Sequence, residues 1–148
     1  MKARRLLLTG MLLTWFGGEA AIGESITGRW RAIDDKTGEP KSIVEMYDEG
    51  GRVYGKIVEL FTKAGEDPDP ICDICPGKRK NQKILGMVVV EGLEKDGDTW
   101  VNGEILDPEN GKIYRCKVWL ENGKLRLRGY VSVFFRTQTW LPAGSGGR

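Results

Sequence analysis

The chain contains no histidine. That absence removes Ser-His and Cys-His nucleophile pairs and every imidazole metal ligand. Cysteine is scarce, with three in 148 residues. A zinc site built on Cys72 and Cys75 would need two further ligands, and the chain has no histidine to supply them. No metal, no cofactor and no catalytic constellation is therefore expected. Long apolar runs are lacking too. The longest, Leu6 to Phe16, is interrupted at Thr9, Gly10 and Thr14 and ends at Gly17-Gly18-Glu19. It is roughly half of the ~20 residues that a membrane-spanning helix needs.

Lys2, Arg4 and Arg5 precede that run, and Ala21-Ile22-Gly23 follows it with small residues at the positions read for cleavage. Residues 1–23 are expected to be a cleaved signal peptide and residues 24–148 one domain, periplasmic or secreted, with no transmembrane segment after cleavage. Removing the leader takes Lys2, Arg4, Arg5 and Glu19, which leaves 20 residues of each sign. The pI near 8.4 of the whole chain thus belongs largely to the leader, and a nucleic-acid partner loses its electrostatic footing.

The remaining sequence reads as all-β. Strand-length apolar runs recur, separated by Asp, Asn, Gly and Pro, and no window keeps a helical period. Eight strands are predicted, at 26–34, 41–48, 52–61, 83–93, 98–106, 112–121, 124–131 and 133–141. Turns such as Glu121-Asn122-Gly123 and Lys95-Asp96-Gly97 carry the residues that short reversals require. Short turns make neighbours pair antiparallel, so the topology is an up-and-down meander. Eight strands can remove their open edges by closing into a barrel, with a two-sheet sandwich as the alternative. Alternation is clearest where Tyr114, Cys116, Val118 and Leu120 oppose Arg115, Lys117 and Trp119, and where Leu125 and Leu127 oppose Arg126 and Arg128.

One connection is long. Thr62 to Gln82 runs from acidic Asp67-Pro68-Asp69-Pro70 through Cys72-Asp73-Ile74-Cys75 to basic Lys78-Arg79-Lys80. In an oxidising compartment the two cysteines read first as a disulfide that shapes the loop. A redox-active dithiol is the alternative, although Pro76-Gly77 follows where a helix would be wanted. The carboxylates Asp34, Asp35, Asp107 and Glu109 all fall in turn sequences that backbone geometry explains.

The resemblance is carried by particular segments. Gly28-Arg29-Trp30 resembles the G-x-W signature of lipocalin and calycin barrels, and Arg136 resembles their closing arginine, which implies a guanidinium packed on the Trp30 indole. Nearly the whole mature chain is similar to the bacterial domain-of-unknown-function 2147 family. The matching segments include Lys41-Ser42-Ile43-Val44-Glu45, Tyr54-Gly55-Lys56-Ile57-Val58, Cys72 with Cys75, Asn81-Gln82, Ile84-Leu85-Gly86-Met87 and Arg136-Thr137-Gln138-Thr139-Trp140. Lys83 and Phe135 depart from the pattern, where proline and glycine are expected. The resemblance implies an exported calycin-like barrel and supplies no reaction.

A barrel of this kind is expected to bind a small, mostly apolar molecule in its interior. Tyr114, Cys116, Val118 and Leu127 are the candidate apolar lining. Glu45, Tyr54 and Lys56 are candidate polar contacts whose facing the sequence leaves open. Two alternatives stand beside this: a filled barrel that binds a protein partner through exposed Trp100 or Trp119, and a thiol oxidoreductase using Cys72 and Cys75.

Overall fold

The computed structural model describes residues 24–144; the expected leader, residues 1–23, and its cleavage site lie outside them. The strands are β1 (Gly28–Ile33), β2 (Pro40–Glu49), β3 (Arg52–Leu60), β4 (Ile71–Cys72), β5 (Gln82–Lys83), β6 (Val88–Asp96), β7 (Thr99–Asp107), β8 (Lys112–Glu121), β9 (Lys124–Val131) and β10 (Phe134–Pro142). Eight of them close an antiparallel barrel in the order β1, β2, β3, β6, β7, β8, β9, β10 and back to β1. The all-β, eight-stranded up-and-down barrel read from the sequence is the fold.

The pleat sorts the side chains. On β8 and β9 the inward positions Cys116, Val118, Leu125 and Leu127 are buried, while Lys117, Trp119, Arg126 and Arg128 alternate outward. The β8–β9 reversal is built by Asn122 and Gly123, at φ 51° and 72°. Two successive left-handed residues match the twist of the strands that they join.

The strand read at 83–93 begins later, at Val88. Gln82 and Lys83 pair with Ile71 and Cys72 in a small separate ladder, and the amide of Ile84 donates to the Pro70 carbonyl at 3.0 Å. Asn81 at φ 61° and Gly86 at φ 87° bend the chain on either side. Ile84 and Leu85 therefore belong to the connection, although their apolar character resembles a strand start. The cysteines form the Cys72–Cys75 disulfide. Its loop packs so tightly on the β7–β8 turn that a Cβ on Gly111 would lie 2.2 Å from the Ile74 carbonyl oxygen.

The middle of the barrel is filled. Val44, Met46, Val90, Leu93, Val118 and Leu125 are almost wholly excluded from solvent. Two inward glycines admit this packing: a Cβ on Gly55 would stand 2.6 Å from the Met46 sulfur, and one on Gly103 would stand 2.5 Å from Leu93 Cδ2 and 3.2 Å from the Glu91 carbonyl oxygen. Gly103→Ala is expected to destabilise by about 1–3 kcal/mol through overpacking, measured by urea unfolding. In a Leu93→Ala background the same substitution should cost less than in the wild type, because the space that the new methyl needs is then empty.

Candidate functional site

The two ends of the barrel differ. At the lower end lie residues 24–27 and the β2–β3, β6–β7 and β8–β9 turns. Ile26 is fully buried there, and Trp30 points inward and donates its indole N–H to the Ile26 carbonyl at 2.8 Å. Trp100 and Trp140 are buried as well, so the lower end is plugged by apolar side chains. Two open hollows of about 280 and 410 Å³ remain outside the plug. Their walls include Glu24, Lys95, Asp98 and Trp100. Charged and turn residues share these walls with Val53, Leu93 and Leu120, so each hollow is of mixed character and open to solvent.

At the upper end lie the β1–β2 and β7–β8 loops, the β9–β10 turn and the long connection. Here the inward residues regain solvent: Tyr114, Gly129 and Gln138 are half-buried and Arg136 is exposed. Gly129 makes the wall recede, because a Cβ there would meet only Tyr114, at 3.5 Å. Tyr114 Oη accepts from Asn110 Nδ2 at 2.9 Å. Arg136 is held by Asp35, with its Nε donating at 2.9 Å and Nη2 standing 2.7 Å from the same carboxylate oxygen. Around this mouth stand exposed Ile74, Ile113, Val131, Val133 and Phe134.

The residues singled out from the sequence divide accordingly. Tyr114, Cys116, Val118 and Leu127 face inward; the last three lie in the packed middle, and only Tyr114 reaches the mouth. Glu45, Tyr54 and Lys56, whose facing the sequence leaves open, lie on the outer wall and do not line the interior. Val44 and Met46 on β2 and Val53, Gly55 and Ile57 on β3 occupy the inner positions, so their neighbours must point away. Glu45 accepts from Arg29 Nε at 3.1 Å, while Tyr54 stacks on Tyr47 and Lys56 lies over the Tyr47 ring. Burial, then the charge of Glu49, holds the Tyr47 phenol above its usual range.

The expected packing of Arg136 on Trp30 is also corrected. Trp30 pairs with Pro142, whereas Arg136 pairs with Gly129. Six residues of strand separate the two registers, roughly 20 Å at about 3.3 Å per residue. Arg136 therefore works at the mouth, tied to Asp35, and the lower plug is made by Trp30, Ile26 and Trp140.

Two further expectations change. Trp100 is buried opposite Val118, which removes it as an exposed anchor, while Trp119 stays on the outer wall. Both disulfide cysteines are buried, which hinders the thiolate attack that an exchange reaction requires. The turn carboxylates build loops. Asp34 accepts from the amides of Lys36 and Thr37, which lowers its carboxyl below the usual range. Asp107 accepts from the amide of Glu109, and Glu109 pairs with Lys41. Sequence reading missed Gly129, Gln138 and the mouth-side role of Arg136, because only the register places them on one rim.

A family model described as "Uncharacterized protein conserved in bacteria (DUF2147)" matches residues 28–141. No curated protein matches the chain. Among solved structures, protein HP1028 from the human pathogen Helicobacter pylori, described as belonging to the lipocalin family, is similar in fold. Its TM-score is 0.70 at 18% identity, covering 82% of this chain and 84% of that one.

Proposed function

We propose that this chain, which belongs to the family of uncharacterized bacterial proteins DUF2147, is an exported lipocalin-like binding protein that takes a small, mostly apolar molecule at its upper mouth. The observation that carries this reading is the asymmetry of the barrel. One end is plugged by Ile26 and Trp30, and at the other the inward faces of Tyr114, Gly129, Gln138 and Arg136 meet solvent inside an apolar rim. The filled middle limits the depth: a ligand tail descends to the level of Cys116 and Leu127 and stops. Tyr114 and Arg136 orient its polar end, while Gln138, paired with Leu127 and accepting from the Trp140 indole at 3.1 Å, stands beside the tail. Export is supported by the apolar leader and by the Cys72–Cys75 bond, which persists in an oxidising compartment.

The test is a displacement titration with a fluorescent fatty acid, accompanied by native mass spectrometry of protein purified from its own envelope. Gly129→Leu fills the notch beside Tyr114. Each buried methylene of ligand contributes about 0.8 kcal/mol, so a tail shortened by two is expected to bind at least about tenfold more weakly. Glu45→Gln, on the outer wall, is expected to change nothing. Equal affinity in Gly129→Leu, or a wild-type protein that neither takes up the probe nor carries a native ligand, overturns the reading.

A further inference from the structure

The β9–β10 turn is chemically unlike the other reversals of the barrel. It has no Gly, Asn or Pro, and Ser132 takes the left-handed conformation at φ 54°, which a residue with a Cβ adopts uncommonly. Its flanks are apolar and far out in solvent: Val133 is 82% exposed and Phe134 75% exposed. Val131 and Phe135 continue the patch, and Ile113 stands beside it at the start of β8. A tight apolar tip of this kind marks an interaction site.

The wall below the tip is predominantly cationic. The outward positions of β8 and β9 hold Arg115, Lys117, Arg126 and Arg128. The acid on these strands, Glu121, lies at the far lower end, where it pairs with Arg126 at 3.4 Å; Glu104 on neighbouring β7 stands opposite Arg115. Arg128 joins wall and tip, its guanidinium carbon 4.2 Å from the Phe135 ring centroid and 5.1 Å from that of Trp119. An apolar wedge above a basic wall is complementary to anionic headgroups over hydrocarbon.

We infer that the β9–β10 turn and the outer wall of β8 and β9 dock this protein on an anionic phospholipid bilayer. Val133 and Phe134 enter the headgroup boundary, and the wall cations lie against phosphates. The outer wall is too charged to face hydrocarbon itself, since a membrane-spanning barrel shows an apolar band there; the protein rests on the surface. The inference stands on the tip and the wall, and does not require ligand uptake at the mouth.

The experiment is co-sedimentation of the protein, expressed from its full chain and purified, with vesicles of phosphatidylcholine containing phosphatidylglycerol and with pure phosphatidylcholine. Binding to the anionic vesicles is expected, weakening as salt rises. Val133→Ser combined with Phe134→Ser is expected to lower it at least tenfold, without loss of folding because both side chains are already in solvent. Arg115→Gln and Lys117→Gln are each expected to lower it by roughly fivefold on anionic vesicles alone. In Phe134→Trp, the emission of the new indole should shift to the blue on vesicle addition. Gly129→Leu is expected to leave docking unchanged, which separates failure of docking from failure of ligand uptake. Absence of binding to anionic vesicles, binding indifferent to the tip variants, or tip variants that only dissolve a dimer would each overturn the inference.

Discussion

Trp30→Ala is expected to lower stability by about 3–5 kcal/mol, the range for removing a buried tryptophan. Three losses combine. The indole fills the inner space of the lower end, its N–H satisfies the Ile26 carbonyl at 2.8 Å, and Ile26 is fully buried, so the freed acceptor finds no water. Trp30→Phe retains most of the volume and loses the hydrogen bond, at a cost of about 1 kcal/mol or somewhat more. Urea unfolding gives both values, and amide exchange of residues 24–27 should accelerate in the alanine variant. A loss below about 1 kcal/mol for Trp30→Ala would show that the lower plug is not part of the cooperative core.

The second large effect concerns Cys116, the free cysteine on the inner wall of β8. Burial, and then the nearby charge of Glu104, push its thiol up to about 12 from the usual 9.0. Thiol reagents attack through the thiolate, so the native protein should label roughly 10³-fold more slowly than the unfolded chain from this cause alone. The same shift bears on stability at high pH. Between the two values the unfolded chain has released the proton that the folded chain still holds, so stability falls as pH rises. This contribution is complete below about 9 and is lost toward about 12, with a slope of up to about 1.4 kcal/mol per pH unit. Cys116→Ala should flatten the alkaline limb. Rapid labelling of the native protein at mildly alkaline pH would place Cys116 on an accessible cavity, against the filled middle described above.

Much of the barrel was legible because its best strands alternate strictly. Tyr114, Cys116 and Val118 opposite Arg115, Lys117 and Trp119 assign an inside and an outside without any structure, and Asn122-Gly123 announces its own turn. Legibility failed where local chemistry and register disagree. On β2, Glu45 shares its side with Ile43, which is buried although it lies outside the core cluster, so apolarity alone could not settle the facing. The break read between residues 131 and 133 is where the chain reverses, although Ser132 at φ 54° adopts a conformation that its type does not advertise. Arg136 could be placed only once Gly129 was known as its partner; the resemblance to a closing arginine implied a contact with Trp30 that pairing forbids. The mouth is likewise a property of register, since β8, β9 and β10 each contribute one or two residues that nothing in the linear order brings together.

The upper mouth of the barrel is proposed to receive the ligand while the lower end is a plug. Amide chemical shifts, followed residue by residue as a fatty-acid probe is titrated into isotopically labelled protein, test it most directly. The largest saturable shifts are predicted at Tyr114, Gly129, Arg136 and Gln138, with Trp30, Trp100 and Lys95 unmoved. Shifts centred on Glu24, Lys95 and Trp100, with the upper residues silent, would contradict it.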